Sequence, residues 1–157
     1  MPAKKTKSVF DKKALEMIAE NKTAVLSTVT KSGHPQSAAV TFLFDAPALF
    51  YIVVGKESAK YKNMLKNAHV ALAIFDDSDL PGTIQMEGVA SVVKDIDEER
   101  FILDRFVNEI WANMPFYPVT YRQPGAKLVL MKISLTAGKW FKDEMKASTL
   151  TLYPQTL

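Results

Sequence analysis

The residues best placed to do chemistry in this sequence lie where an apolar run gives way to a helical pattern. Ile52–Val54 is a β-branched run that predicts a buried strand, and Gly55 ends it. Ser58 stands at the position of a helix N-cap, with Lys60 and Lys62 directly after it. The first N–H groups of a helix have no partner within the helix and carry partial positive charge. This turn is therefore a candidate site for a phosphate group.

The rest of the sequence offers no self-sufficient catalytic site. It contains no cysteine, which excludes a thiol nucleophile, a disulfide and a zinc–thiolate centre. The two histidines, His34 and His69, lack metal-ligand spacing, and the acidic loop after Phe75 lacks the glycine and closing glutamate of a calcium loop. We predict no metal site. If the protein is an enzyme, a cofactor supplies the chemistry.

Length and charge limit the class of protein. With 157 residues the chain can bury its own core, and we expect a single domain over residues 9–157 after a basic, disordered tail over residues 1–8. The net charge of +3 is too small to indicate a nucleic-acid partner. No apolar run approaches the roughly 20 residues of a membrane span, and no signal peptide opens the chain. We expect a soluble, cytoplasmic protein that binds no membrane.

Apolar residues with a period of two predict six or seven strands. They cover residues 24–30, 35–44, 49–54, 69–75, 83–93 and 127–134, with a short seventh strand at an edge over residues 138–141. Short turns make the first three antiparallel, and Gly88 predicts a bulge. Because closure removes exposed sheet edges, the predicted fold class is mainly β, a closed antiparallel barrel of six to seven strands with flanking helices.

Three helices are predicted beside these strands. The first opens on a capping box at Ser8 and ends near Asn21, and the second covers Ser58–Asn67. The third opens on a capping box formed by Asp95 and Glu98 and runs to about residue 112. Its apolar stripe is predicted to consist of Leu103, Phe106, Val107 and Ile110.

The order of several motifs resembles a known family. The motifs are Ser27-Thr28, Gly33-x-Pro35, Asp45, the strand Leu49–Val54, Ser58-x-Lys60-x-x-Asn63, Gly88–Ala90 and Trp140. Together they are similar to the pyridoxamine-phosphate-oxidase-like FMN-binding split barrels, chiefly over residues 24–92. Each motif alone is weak, but their order and spacing are fairly specific.

The resemblance implies a cofactor, FMN, bound at a homodimer interface. Ser58 and Lys60 would hold its phosphate, residues 38–41 would line the isoalloxazine ring, and Gln85 would bind the ring edge. The cofactor-binding residues implied in this way are Ala38, Val40, Thr41, Val53, Val54, Ser58, Lys60, Gln85 and Trp140. Catalytic residues are not identified.

Two departures from the family pattern bear on function. Val54 and Ala59 stand where many members carry a phosphate-binding threonine and arginine. The chain also lacks the arginine- and histidine-rich ending with which true pyridoxamine phosphate oxidases hold their substrate. We therefore expect an FMN-dependent oxidoreductase with a different, unidentified small-molecule substrate.

Other functions are compatible with the same sequence. The protein could be a non-catalytic flavin-binding protein or a cofactor-free split-barrel dimer, or it could bind a deazaflavin or haem, for which only His34 and His69 could supply an imidazole. The aromatic residues Phe116, Tyr117 and Tyr121 offer apolar surface for a homodimer. Arg122 beside them could reach an anionic substrate.

Overall fold

The computed structural model describes residues 10–45, 47–76, 82–113, 125, 127–142 and 147–149. The strands are β1 (Thr23–Val29), β2 (Pro35–Asp45), β3 (Leu49–Gly55), β4 (His69–Asp76), β5 (Gly82–Val92), β6 (Leu128–Lys142) and β7 (Ala147–Thr149). The helices are α1 (Lys12–Glu20), α2 (Ala59–Lys66) and α3 (Ile96–Arg105), and α3 continues into a π-helical turn, Phe106–Ile110, and a 3₁₀ turn, Trp111–Asn113. None of the helices within the described ranges is long and apolar enough to cross a membrane.

Six strands form a closed antiparallel barrel. Their order is β3-β2-β1-β4-β5-β6, and β3 pairs again with β6 to close the ring, while β7 adds to the outer edge of β6. Every ladder is antiparallel, so the predicted mainly β split barrel is confirmed. Alternate side chains of all six strands point inwards and form the main core, which also takes in the apolar side of α1.

The start of α1 differs from the prediction. The N-cap is Asp11, whose carboxylate accepts a hydrogen bond from the Ala14 amide at 2.9 Å, and the helix begins at Lys12. Ser8 and the predicted tail, residues 1–8, lie outside the described residues. Ala14 and Ile18 are buried in the main core, as the apolar stripe predicts.

The seventh strand is not where the sequence placed it. Residues 138–141 belong to β6, a single strand of 15 residues that pairs with β3 over its first half and with β5 along most of its length. The prediction ended the sixth strand at Ser134 and began a separate strand at Gly138. The real role of Gly138 is close packing, because a Cβ at this position would lie 3.0 Å from Cζ of Phe10. The seventh strand is β7, further along the chain.

The bulge predicted at Gly88 is confirmed. The register between β5 and β6 shifts between Glu87 and Gly88. A Cβ on Gly88 would lie 2.7 Å from Cγ2 of Ile133 and 2.9 Å from the carbonyl oxygen of Ser134. Only glycine lets the two strands approach this closely.

A second, smaller core lies outside the barrel, under α3 and its π-helical turn. It joins Leu43, Tyr51, Val53, Val93, Ile102, Phe106, Ile110 and Leu130. The predicted stripe is therefore only partly right, since Phe106 and Ile110 are buried but Val107 is 48% exposed. The widened turn from Phe106 to Ile110 rotates the buried side of the helix, which a regular helical period cannot anticipate.

The opposite side of the barrel carries no such cover among the described residues. We call it the open face, and it consists of the outward side chains of Val25, Ser27, Ala71, Ala73, Phe75, Gln85, Glu87 and Lys139. Val25 is 46% exposed and Phe75 is 67% exposed. Apolar side chains are thus left in contact with solvent beside small alanines.

The capping box predicted for α3 is wrong in one of its two bonds. The Asp95 carboxylate accepts from the amides of Asp97 and Glu98, but the Glu98 carboxylate faces the barrel instead of Asp95. It accepts hydrogen bonds from the Tyr51 hydroxyl at 2.7 Å and from Nζ of Lys132 at 2.8 Å. These bonds lower the pKa of Glu98, the Lys132 bond most strongly. The carboxylate therefore fixes the start of α3 to β3 and β6.

We expect Glu98→Gln to lower the free energy of unfolding by about 1 kcal/mol at neutral pH, since a charge-assisted bond at a partly exposed site adds little more. The folded-state pKa is depressed, so the contribution is complete above the unfolded-state value of about 4.3 and disappears as pH falls through the folded-state pKa. Urea unfolding should show a difference between the two proteins that is constant above the unfolded-state pKa and closes as the pH falls through the lowered pKa of Glu98. A difference that stays constant with pH would contradict this role.

Candidate functional site

The barrel is split between β2 and β3. Their ladder joins Phe42–Asp45 to Leu49–Ile52 and ends at the pair Phe42 and Ile52. Beyond it, the described ladders pair residues 35–41 of β2 with β1 and residues 53–55 of β3 with β6. The two strands therefore diverge, and the edge of β2 that faces the split has no strand beside it in the described part of the chain. We call this opening the split.

The predicted turn at Ser58 lies at the end of β3, where the split opens. Ser58 is the N-cap of α2, as predicted: its hydroxyl oxygen accepts from the Tyr61 amide at 3.3 Å. The hydroxyl hydrogen is also engaged, because it is donated to the Gly55 carbonyl at 2.7 Å. Ser58 thus shapes the turn, and its hydroxyl has no second hydrogen to give an anion.

The donors left in this turn are backbone amides. The amides of Glu57, Ala59 and Lys60 make no hydrogen bond to any described residue, whereas the amide of Ser58 binds the Gly55 carbonyl at 3.0 Å. Amides at the start of a helix carry partial positive charge and suit an anion. Three such groups in one turn match the several acceptor oxygens of a phosphate.

The lysines around the turn differ in what they contact. Nζ of Lys62 lies 3.0 Å from the Glu57 carboxylate, and this contact lowers the pKa of Glu57. Lys60 is partly buried and forms no salt bridge with any residue that the structure describes. Lys60 is therefore a cation available for a phosphate within the first turn of α2, as is the exposed Lys56 before the turn, while Lys62 compensates the carboxylate of Glu57.

Asn63 ties this turn to the other side of the split. Its side-chain amide donates to Oγ1 of Thr28 at 3.0 Å and to Oε1 of Gln36 at 2.8 Å. Asn63 is only 9% exposed and Thr28 only 2% exposed. A buried polar group of this kind fixes its neighbours because breaking the bonds would leave it unsatisfied. The sequence identified Asn63 only as part of a family motif, since its partners are 35 and 27 residues away.

The remaining predicted cofactor-binding residues fall into two groups. On β2, Ala38 and Val40 point towards the barrel interior and Thr41 points outwards. On β3, the side chain of Val54 lies in the main core, whereas the side chain of Val53 lies in the smaller core under α3. Trp140 also lies in the main core and is 7% exposed. Residues 38–41 and 53–54 thus offer mainly backbone to the split. Gln85 is in the other group, exposed on the open face.

One protomer does not bring Gln85 to the split. The strand register places Ala39, Val25, Ala73 and Gln85 in one row across β2, β1, β4 and β5. Three strand spacings separate the ends of this row, about 14 Å along the sheet. Gln85 instead borders a cleft of about 520 Å³ on the open face, shared with Ser27, Ala71, Ala73, Glu87 and Lys139.

The histidines lie apart from both features. His34 is exposed in the turn between β1 and β2, with Nδ1 2.9 Å from the hydroxyl of Ser32, and His69 is exposed at the start of β4. Neither lines the cleft on the open face. Within the described residues no three His, Asp or Glu side chains come close enough together to hold a metal ion. Phe116, Tyr117, Tyr121 and Arg122 lie outside the described residues.

Comparison with known proteins identifies relatives of the chain. A family model described as pyridoxamine 5'-phosphate oxidase matches residues 10–139. No curated protein matches the sequence.

Three solved structures show the same fold. A Listeria innocua protein assigned as a pyridoxamine 5'-phosphate oxidase is 22% identical, over 82% of this chain and 95% of its own, with a TM-score of 0.64. A Clostridium acetobutylicum protein of the pyridoxinephosphate oxidase family, related to a general stress protein, is 14% identical over 88% and 92%, with a TM-score of 0.64. HutZ, the heme storage protein of Vibrio cholerae, is 16% identical over 83% and 92%, with a TM-score of 0.59.

Proposed function

The chain belongs to the pyridoxamine 5'-phosphate oxidase family, and we propose that it is a homodimer that binds FMN in the split of each protomer. The observation that carries the proposal is the turn at Ser58, where the chain leaves β3 beside the split, three amides are unengaged among the described residues and Lys60 follows in the first turn of α2. FMN presents a phosphate dianion at the end of a flexible chain that carries a planar ring. The turn suits the phosphate, and the exposed edge of β2 suits the planar ring.

The donor set fits a phosphate without the two groups that many relatives use. Val54 is fully buried in the main core, so a threonine hydroxyl at this position would be surrounded by core side chains. Ala59 is exposed in the first turn of α2 and supplies only its amide. A phosphate would therefore depend on the amides of Glu57, Ala59 and Lys60 and on the Lys60 charge. We infer that Lys60 makes a larger share of the binding energy here than a lysine would beside an arginine.

The homodimer follows from the distance between the two halves of the site. Gln85 lies three strands from β2 in its own protomer, so it would reach a ring held at the split only from a second copy. The open face provides the surface, because Val25 and Phe75 are exposed there among small side chains. Two copies meeting through their open faces would bury these groups and bring Gln85 of the partner subunit to the split.

The activity we propose is flavin-dependent oxidation or reduction of a small molecule. The bound flavin would supply the redox chemistry, and the protein would position it and exclude water. The Glu57 carboxylate at the Ser58 turn is engaged by Lys62. We therefore assign the chain's own residues to binding and to orientation of the flavin.

Haem is the main competing cofactor, because one structural relative is a heme storage protein. Haem iron needs an axial ligand, and the sequence has two histidines, both exposed outside the cleft and the Ser58 turn. A deazaflavin in place of FMN, or a barrel that holds no cofactor, would also be compatible with the fold.

An absorption spectrum of the protein as purified, followed by denaturation, tests the proposal. We expect flavin bands and the release of FMN, in a ratio of about one per protomer at full occupancy. Added FMN should raise the melting temperature of any apoprotein, as a ligand that binds only the folded state must do. A Soret band, or a colourless protein whose melting temperature ignores FMN, would contradict the proposal.

A further inference from the structure

Lys139 and Gln85 stand side by side on the open face. They are direct cross-strand partners in the ladder between β5 and β6, and both are exposed. Directly opposite residues have Cβ atoms about 5 Å apart, so the side-chain amide and the ammonium can contact one ligand together. Both border the same cleft.

The floor of this cleft is formed largely by small apolar side chains. Ala71 and Ala73 of β4 lie beside it, and Ala137 follows on β6. The larger side chains of Leu72 and Met86 point away from it, into the main core. Small side chains on adjacent strands leave room for a planar ring to lie against the sheet, with polar groups along one edge only.

The polar edge has a defined donor and acceptor pattern. Gln85 contributes one acceptor and two donor hydrogens, and Lys139 contributes donors alone. The pyrimidine edge of a flavin presents a carbonyl, an N–H and a second carbonyl. The amide of Gln85 matches the N–H and one carbonyl, and the ammonium of Lys139 matches the other.

We propose that Lys139 binds the pyrimidine carbonyl edge of the flavin held in the partner's split and favours its reduced form. The proposal rests on the proposed function and adds a residue that the family resemblance did not indicate. Two-electron reduction makes this edge anionic at neutral pH, so a neighbouring ammonium stabilises the reduced flavin more than the oxidised one.

The negative charge of Glu87 increases the expected effect of removing the positive charge of Lys139. Its carboxylate borders the same cleft, two residues from Gln85 on β5, and forms no salt bridge with Lys139 in the structure. Without Lys139 the cleft would keep only this negative charge. An anionic reduced ring would then be repelled, so removal of the lysine should affect the reduced state most.

The test compares Lys139→Met, Lys139→Arg and the parent by titration with FMN and with riboflavin, and by the midpoint potential of the bound flavin. Because Lys139 contacts the ring, Lys139→Met should weaken both ligands by the same factor, about tenfold. If the reduced form weakens about tenfold more than the oxidised form, the potential falls by about 30 mV. Lys139→Arg should keep both properties near those of the parent.

Lys94→Met, a change at another exposed lysine in the turn before α3, is the matched control and should leave both readouts unchanged. Unchanged affinity and potential in Lys139→Met, with FMN bound normally by the parent, would overturn the role of Lys139 alone. A loss of affinity that accompanies dissociation of the dimer would also overturn it. A parent that binds no FMN would instead overturn the proposed function.

Discussion

Lys60→Ala is expected to weaken FMN binding by about tenfold to a hundredfold. Lys60 forms no salt bridge with any described residue and lies in the first turn of α2, where Ala59 supplies no charge. A charge-assisted contact with a phosphate contributes roughly 1.5–3 kcal/mol, which corresponds to that range. Quenching of flavin fluorescence during titration of the apoprotein measures the affinity directly.

Two controls separate the phosphate from the rest of the site. Lys66→Ala should leave FMN affinity unchanged, because Lys66 is exposed in the last turn of α2, away from the Ser58 turn. Riboflavin, which lacks the phosphate, should bind the parent and Lys60→Ala equally weakly. The melting temperature should change little in either variant, since both side chains are at the surface. Equal FMN affinity of the parent and Lys60→Ala would contradict a phosphate site at this turn.

Ala73→Glu is expected to abolish the dimer and to lower FMN affinity by more than about a hundredfold. Ala73 lies in the centre of the open face, between Val25 and Gln85 in adjacent strands. In a symmetric dimer the substitution places two unpaired carboxylates at the interface, and an uncompensated buried charge costs about 3–5 kcal/mol. Light scattering gives the mass, and flavin titration gives the affinity of the same samples.

The fold of each protomer should survive this change, because Ala73 points away from the core. Ala19→Glu is the matched control. Ala19 is exposed on α1 and does not belong to the open face, so its change should alter neither the mass of the protein nor its FMN affinity. A stable dimer with normal FMN binding in Ala73→Glu would show that the open face is not the interface. A monomer that still binds FMN normally would show that each site is complete within one protomer.

Local sequence patterns were enough to predict most of the strands of the barrel and the turn at Ser58. The strands alternate with a period of two, and Ser58 caps α2 as a hydroxyl residue before a helical pattern should. The bulge at Gly88 was also predictable, because a glycine inside a long strand commonly marks a bulge. These features depend on neighbours in sequence, which is the information that a single sequence carries.

The errors concern contacts between distant residues. Residues 128–142 form one strand where the sequence predicts two, because the sequence does not show that Phe10 packs closely against Gly138 within this strand. Glu98 was assigned to a capping box because its partners, Tyr51 and Lys132, are far away along the chain. The π-helical turn at Phe106 follows from packing on the barrel and not from local propensity.

In the candidate site, too, the sequence could not predict contacts between residues that are far apart along the chain. Family motifs indicated Ser58, Lys60 and Gln85 together, but only the strand register shows that Gln85 lies three strands from β2 and pairs with Lys139. The engaged hydroxyl of Ser58 was not predictable either, since it depends on the position of the Gly55 carbonyl. Which amides of the turn are left without a partner among the described residues is therefore a structural result.

The most direct test of the account is calorimetric titration of the apoprotein with FMN and with riboflavin under identical conditions. We expect one FMN per protomer and an affinity for FMN at least about tenfold above that for riboflavin, because the phosphate meets three amides and a lysine at the start of α2. Equal affinities for the two ligands, or no heat of binding with FMN, would contradict a phosphate-binding turn at Ser58 and with it the assignment of this chain as a flavoprotein.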